Sequence, residues 1–183
     1  YENEKEMNGN IGFLHMFSNE RVAEDVARAV KLGVTRVYFE DDNLFFNKKR
    51  LIKMAPYLKH EGLTYSNVNG ANLRFLVKKI NSHYEPDIEF INLLADFGLV
   101  ELSLPFETRS KEMMEKYATG KYDPEEMNPI GILKAIKKAG IHASSNFLIG
   151  FRDESWESIL RTKEFAKELF DEGLDSAGFA IPV

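Results

Sequence analysis

Five times along the chain an amphipathic stretch ends in glycine and gives way to a short apolar run. The junctions are Leu32-Gly33-Val34, Glu61-Gly62-Leu63, Phe97-Gly98-Leu99, Ala139-Gly140-Ile141 and Glu172-Gly173-Leu174. Glycine just past a helix takes the left-handed cap at little steric cost, and the apolar residue after it packs back on the last turn. A spacing of about thirty to forty residues is that of successive βα units. A chain with this rhythm folds as a parallel α/β protein.

The stretches before the glycines carry helical periodicity. Val22, Val26 and Val30 share one face, as do Leu51, Met54 and Leu58, then Ile88, Ile91 and Ala95, then Leu133 and Ile136. The longest, from Ser155 to Phe170, is expected to turn Trp156, Ile159, Leu160, Ala166 and Leu169 inward. Asn47, Asp123 and Ser155 read as N-caps, with Pro124 suited to a first turn. The predicted strands are Arg36 to Asp41, Leu63 to Asn69, Leu99 to Leu104, Ile141 to Ile149 and Ser176 to Ile181. Strands separated by helices are parallel with right-handed crossovers. A barrel and an open doubly wound sheet satisfy this periodicity equally.

Composition narrows the function classes. A 44% apolar fraction supports a core, and the net charge of −5, with basic and acidic residues interspersed, gives no nucleic-acid footprint. No apolar run approaches the roughly 18 residues of a membrane span, and the opening residues are polar, so a cytoplasmic location is expected. The chain has no cysteine, which rules out a thiol nucleophile, a disulfide or a thiolate metal site within these 183 residues. It opens on Tyr1 and closes at Val183 directly after a strand-like run, and so reads as a piece of a longer protein. It is also short for a closed eight-unit barrel, which takes roughly 200 residues or more.

In parallel α/β folds ligands sit at the carboxyl ends of the strands. Those ends, in order, carry Glu40-Asp41-Asp42-Asn43; Asn67, Asn69 and Asn72 with Arg74 behind; Ser103 through Glu107 and Thr108; Asn146 through Leu148, Ile149 and Gly150, then Glu154; and Ala180-Ile181-Pro182. Such a ring suits a ligand with an ammonium group and vicinal hydroxyls, because carboxylates attract the first and Asn or Glu pair with the second. No glycine-rich phosphate loop and no nucleophile triad is present, and His15, His60, His83 and His142 lack metal-ligand spacing. Each candidate has a structural alternative. Asp42, Asn43 and Asn47 suit a loop into the next helix, Asn67 and Asn69 suit hydrogen-bonded core positions, and Glu107 suits a solvated loop.

The ordered strand ends resemble those of radical S-adenosylmethionine (SAM) proteins, especially the cobalamin-binding class that includes relatives of the Mg-protoporphyrin monomethyl ester cyclase. Val37-Tyr38-Phe39-Glu40-Asp41-Asp42-Asn43 resembles the second-strand motif of that family. Glu101 through Ser110 is similar to its fourth-strand region, and Gly140-Ile141-His142 through Gly150 to Glu154-Ser155 to its fifth. Ala118-Thr119-Gly120-Lys121 sits where the family has a similar Gly-Lys turn. The resemblance runs from about Arg21 to the end and implies a partial (β/α) TIM-like barrel of about five units with parallel strands. It makes 1–183 one partial domain, with 1–17 left over from the loop after a cluster motif not in this chain.

The resemblance also implies roles. Glu40, Asp41 and Asp42 would lie near the methionine amino group of SAM, and Glu107 and Ser103 near the ribose. Leu148, Ile149, Gly150, Ala180 and Ile181 would frame the adenine, with Asn69 completing the candidate set. The cofactors it implies are SAM and a [4Fe–4S] cluster in the longer protein, with cobalamin an option of the subclass. The partners it implies are a small-molecule substrate and an electron donor such as flavodoxin or ferredoxin, not a membrane or a nucleic acid. Three features depart from the family. The Cys-x3-Cys-x2-Cys motif is absent, Arg152 and Asp153 replace Pro and Gly, and Thr108 replaces Ser. Without cluster ligands the piece alone is expected to be inactive, and its open sheet edges to favour self-association. Two other readings fit the same residues: an Mg²⁺-dependent barrel lyase or hydrolase using Glu40, Asp41 and Asp42, and a degenerate barrel serving as a binding module.

Overall fold

The computed structural model describes residues 16–41, 44–81, 83–117, 122–123 and 126–182. Helices and strands alternate as α1 (Asn19–Lys31), β1 (Arg36–Phe39), α2 (Lys48–Leu58) and β2 (Thr64–Asn67). A short 3₁₀ turn (Leu73–Phe75) and a ribbon of β3 (Val77–Ile80) and β4 (His83–Pro86) follow. The remaining elements are α3 (Ile88–Asp96), β5 (Leu99–Glu107), α4 (Lys111–Tyr117), α5 (Pro129–Lys138), β6 (His142–Leu148), α6 (Trp156–Asp171) and β7 (Ser176–Ala180). The main sheet has the order β1-β2-β5-β6-β7, every neighbouring pair parallel. This is the partial TIM-like barrel of about five units expected from the strand ends. Sequential strands lying side by side, with no reversal of order, distinguish it from a doubly wound sheet.

All five junction glycines have positive φ, from 76° at Gly62 to 104° at Gly98. Gly98 is the tightest: a Cβ there would stand 2.9 Å from the Leu63 carbonyl oxygen, while the Gly98 carbonyl accepts from the Tyr65 amide. Close passage of α3 into β5 thus requires glycine for shape as well as for φ. Asn47 and Ser155 cap α2 and α6 through the amides of Arg50 and Ser158. Asp123 differs from expectation. Its carboxylate accepts from the Glu126 amide, and α5 is capped by Asn128 with Pro129 in its first turn. Pro124 lies outside the described residues.

The sheet has one apolar and one polar face. Tyr65 stacks on Phe39 and meets Phe97 edge-on, and Phe147 meets Phe165 of α6, so odd positions of β1, β2 and β6 face the helices. On the other face Arg36 bonds Ser66 Oγ at 2.9 Å and Glu101 at 2.7 Å, spanning three strands. Ser144, Asn146, Ser176 and Gly178 continue that side in register. A parallel sheet buried by apolar layers on both faces is nearly all aliphatic. Here the inner face is lined for polar contact.

Periodicity missed the β3–β4 ribbon and α4; in α6 it placed Ala166 and Leu169 inward as found, but misplaced Trp156 and Leu160. The buried stripe of α6 is Ser158, Thr162, Phe165, Ala166 and Leu169, while Trp156 is 71% exposed and Leu160 39%. Two hydroxyl residues lead the inward face because each has a polar partner: Ser158 Oγ donates to Glu154, and Thr162 Oγ1 meets Thr108 Oγ1 at 3.1 Å. An apolar-periodicity reading cannot count such positions as core.

Candidate functional site

The site is assembled where strands end. β1 stops at Phe39 and β2 at Asn67, so Glu40, Asp41 and Asn69 stand in the loops above them, all exposed. Asn69 Nδ2 donates to the Glu40 carbonyl at 2.8 Å and ties the first of these loops to the second. Ala71 then bonds the Ser103 carbonyl at 2.9 Å, and Gly70 lies beside the Pro105 ring, which an added Cβ would touch at 3.4 Å. The loop after β2 is in this way bound down over β5. Asp42 and Asn43 lie outside the described residues.

Strand β5 runs on past Leu104 to Glu107, and its end is strained. Glu107 has φ 58°, and around it the Thr108 amide bonds the Phe106 carbonyl at 2.7 Å. An i→i+2 bond about a residue of positive φ is the uncommon, strained form of the γ-turn. The surroundings enforce it. Thr162 Oγ1 takes the Arg109 amide, Thr108 Oγ1 takes the Ser110 amide, and Ser110 Oγ takes the Met113 amide. Glu107 is only 4% exposed, which corrects the solvated-loop alternative, and Ser103 is 3% exposed. Strain held in place by neighbours is typical of functional positions. Thr108, where Ser was expected, keeps the hydroxyl that meets Thr162 Oγ1.

The loop after β6 is built around Glu154. One carboxylate oxygen accepts from the Gly150 amide at 2.7 Å and the Phe151 amide at 3.4 Å, and the other from Ser158 Oγ at 2.7 Å. Gly150 has φ 79° and lies beside Ile181, whose Cγ2 is 3.5 Å from where a Cβ would be. Ile149 bonds the Ala180 carbonyl, so Leu148, Ile149, Gly150, Ala180 and Ile181 form one wall across β6 and β7. Ile181 is 70% exposed, leaving that wall open. Arg152-Asp153, where Pro and Gly were expected, does not disrupt the turn. Asp153 binds Lys116 and Tyr117 of α4, and Tyr117 stacks on Phe151 with centroids 4.6 Å apart.

Sequence reasoning did not find the Glu107 turn, the anchoring role of Glu154, or the state of Asn67. Asn67 is 1% exposed and neither its Oδ1 nor its Nδ2 has a hydrogen-bond partner, which the alternative of a hydrogen-bonded core position does not describe. Asn72 caps the 3₁₀ turn through the Arg74 amide, and His60 sits at an exposed helix end against the Tyr57 carbonyl. Among the described residues no group of three His, Cys, Asp or Glu is placed to hold a metal ion, and no helix is long and apolar enough to cross a membrane. A shallow concavity of about 430 Å³ against α6, lined by Arg109, Arg161, Glu157, Glu164 and Phe165, mixes both charge signs on the helix side and reads as solvated surface.

A family model described as the radical SAM superfamily matches residues 5–166. The chain belongs to the radical SAM superfamily. An uncharacterized methyltransferase of Pyrococcus horikoshii is 30% identical over 165 residues, 90% of this chain and 32% of the relative. Among solved structures, the radical SAM methyltransferase TsrM from Kitasatospora setae, with cobalamin and a [4Fe-4S] cluster bound, aligns with a TM-score of 0.68 at 13% identity. The alignment covers 90% of this chain and 31% of that one. The cobalamin-dependent SAM radical enzyme OxsB, with aqua-cobalamin and SAM bound, gives 0.64 at 15%, covering 81% and 22%. Coproporphyrinogen III oxidase (HemN) from Escherichia coli gives 0.65 at 14%, covering 90% and 36%. These share the fold, and the chain spans about a third or less of the length of each of these TsrM, OxsB and HemN chains and of the Pyrococcus relative.

Proposed function

We propose that these residues form the SAM-holding part of a radical SAM enzyme barrel, in a longer protein of the cobalamin-dependent methyltransferase type. The observation that carries this reading is the buried, strained Glu107 at the end of β5, in a chain of this superfamily. A carboxylate set by a strained turn at the carboxyl end of a parallel strand suits a pair of ribose hydroxyls, which it can accept from.

The residues present fit SAM. Exposed carboxylates at Glu40 and Asp41 suit the ammonium of its methionine, with Asp42 beside them in sequence and Asn69 holding their loop. Glu107 and Ser103 suit the ribose. The open wall of Leu148, Ile149, Gly150, Ala180 and Ile181 offers backbone and apolar contacts to adenine. The cluster is different: with no cysteine, these 183 residues supply none of its thiolates. When bound to a reduced cluster, SAM supplies methionine and a 5′-deoxyadenosyl radical, or a methyl group where cobalamin takes part. The work left to this chain is to orient the nucleoside, fix the ammonium and shield the inner face of the sheet from bulk water. The polar inner face supports a small polar substrate, and a flavodoxin or ferredoxin is the fitting electron donor.

The test uses the full-length protein, reconstituted anaerobically with iron and sulfide. Iron and sulfide content and the EPR spectrum of the reduced protein would be recorded with and without SAM. About four irons per chain and a signal perturbed by SAM are expected. An iron-free protein with no SAM response would remove the reading and leave the Mg²⁺ barrel and the binding module.

A further inference from the structure

On α1, α5 and α6 cations sit beside acids. Arg21 and Arg28 both reach Asp25, Arg161 reaches Glu157, and Lys134 and Lys137 reach Glu172 and Asp175. Residues 44–81 are different: they hold eight Lys or Arg against one acid, Glu61, in a chain where acids outnumber Lys and Arg by 29 to 24. Lys48 pairs with Asp87 and Lys59 with Asp96. Among the described residues Lys49, Lys53, Arg74, Lys78 and Lys79 form no ion pair, and all five are exposed. The fold gathers them. Asp87, the cap of α3, takes Lys48 Nζ at 2.6 Å and also feels the charge of Lys78 on the ribbon. Phe46 meets Phe75 edge-on, centroids 6.2 Å apart, which sets the start of α2 against the 3₁₀ turn that carries Arg74. α2 follows the carboxyl end of β1, and the turn and ribbon follow that of β2. The patch therefore borders the end of the sheet where the SAM site is proposed.

These cations work against their own helix. α1, α3 and α6 each carry an acid in the first turn, Glu20, Glu89 and Glu157, whereas α2 has none and opens Lys48-Lys49-Arg50. Cations at a helix N-terminus oppose the macrodipole, and Lys49 and Lys53 repel each other at i,i+4. Solvation alone does not call for cations in that place. Apolar side chains stand exposed among them: Phe46 at 53%, Ile52 at 46% and Tyr57 at 59%. Apolar groups within a charged rim are the make-up of a protein interface, and phosphates would offer Ile52 nothing to bury against. We propose that α2, the 3₁₀ turn and the β3–β4 ribbon form the docking surface for an acidic electron-donor protein of the flavodoxin or ferredoxin type. Opposite charge steers such encounters, raising association rates by about 10–10³, and redox partners make do with small interfaces. In the complex one electron leaves the donor's reduced flavin or iron–sulfur group, and the oxidised cluster of the longer protein gains it. The inference rests on the proposed function, which supplies the need for that electron.

The test uses the reconstituted full-length protein, with an acidic flavodoxin and an acidic ferredoxin as probes. It is run at about 0.01 M ionic strength, where charges act over about 30 Å. Binding of each oxidised probe is read by calorimetric titration. Cluster reduction by each reduced probe is timed by absorbance, with dithionite as the small reductant for reference. Lys49→Glu with Lys53→Glu, and separately Lys78→Glu with Lys79→Glu, should weaken probe binding and slow reduction by the probe at least tenfold. Iron content and the dithionite rate should stay at wild type, which separates docking from folding. Lys163→Glu with Lys167→Glu, the same change of charge on α6, should move binding and rate by less than twofold. Binding and rate within twofold of wild type in either patch variant would overturn the proposal. So would an equal loss in the α6 variant, an effect of net charge alone, or a wild type that dithionite reduces and neither probe does. RNA binding abolished by the patch variants, with reduction by the probes intact, would assign the surface to a nucleic acid and overturn it as well. A wild type without iron would instead fail the proposed function, and so is distinguishable from these results.

Discussion

Glu107 allows two effects of one residue to be separated. Its positive φ costs a residue with a Cβ about 1–2 kcal/mol, and glycine almost nothing. Glu107→Ala removes the carboxylate and keeps the strain, whereas Glu107→Gly removes both. Elsewhere alanine is the more stabilising of the two, by about 0.4–1 kcal/mol through the unfolded chain. With φ at 58° the order should reverse, leaving the glycine variant ahead by about 0.5–1 kcal/mol, or about 1–4 °C for a domain of this size. SAM affinity should fall alike in both, because both lose the acceptor. One charge-assisted hydrogen bond contributes about 1.5–3 kcal/mol, so the loss should be at least tenfold. The assays are thermal unfolding and calorimetric titration of the reconstituted full-length protein. An alanine variant as stable as the glycine one would refute the strain argument. SAM affinity unchanged in both would remove Glu107 from the site.

Three further outcomes follow from the packing. Gly98→Ala should destabilise more than Gly140→Ala, by about 1 kcal/mol or more in denaturant unfolding, because a Cβ at Gly98 meets the Leu63 carbonyl oxygen at 2.9 Å and at Gly140 meets nothing within 4 Å. Equal effects would mean that φ alone matters at both. Partial burial pushes the carboxyls of Asp87 and Asp175 up, yet both stay below the ordinary 3.8, Asp87 through Lys48 and the Phe90 amide and Asp175 through Lys137 and the Ala143 amide. Depressed folded values mean stability that is present above pH 3.8 and lost as pH falls through them, so Asp87→Asn with Asp175→Asn should flatten the acid limb of a stability–pH curve. Finally, the 183-residue chain alone should self-associate in sedimentation velocity, since β7 and the residue after it present Phe179 at 49% and Ile181 at 70% exposure. A monomer at every concentration would contradict this.

Much of the scaffold was legible because it rests on local chemistry. The five Gly junctions, the Asn47 and Ser155 caps and the valine stripe of α1 each depend on residues within one or two turns of one another, and each occupies the expected element. The order of strand ends placed Glu40, Asp41, Asn69, Ser103 and Gly150 toward one end of the sheet for the same reason, since a parallel α/β unit leaves little choice of where a strand finishes. Errors came where a side chain answered to a distant partner. Trp156 read as core because it is large and apolar, but Ser158 and Thr162 take the inward stripe through Glu154 and Thr108, the latter 54 residues away in sequence. Asp123 read as a helix cap because the helix start was placed too early, when Asn128 and Pro129 form it.

The sequence by itself determined the unit, its repetition and the end of the sheet at which chemistry belongs, because glycine caps and hydrophobic periodicity act between near neighbours. Only the tertiary structure decided which carboxylate is buried and which is solvated, that the chain turns on itself at Glu107, and that Asn67 is left without a partner. Burial, strain and hydrogen-bond satisfaction depend on what β5, β6 and α6 bring from far along the chain, and no window of sequence contains that information.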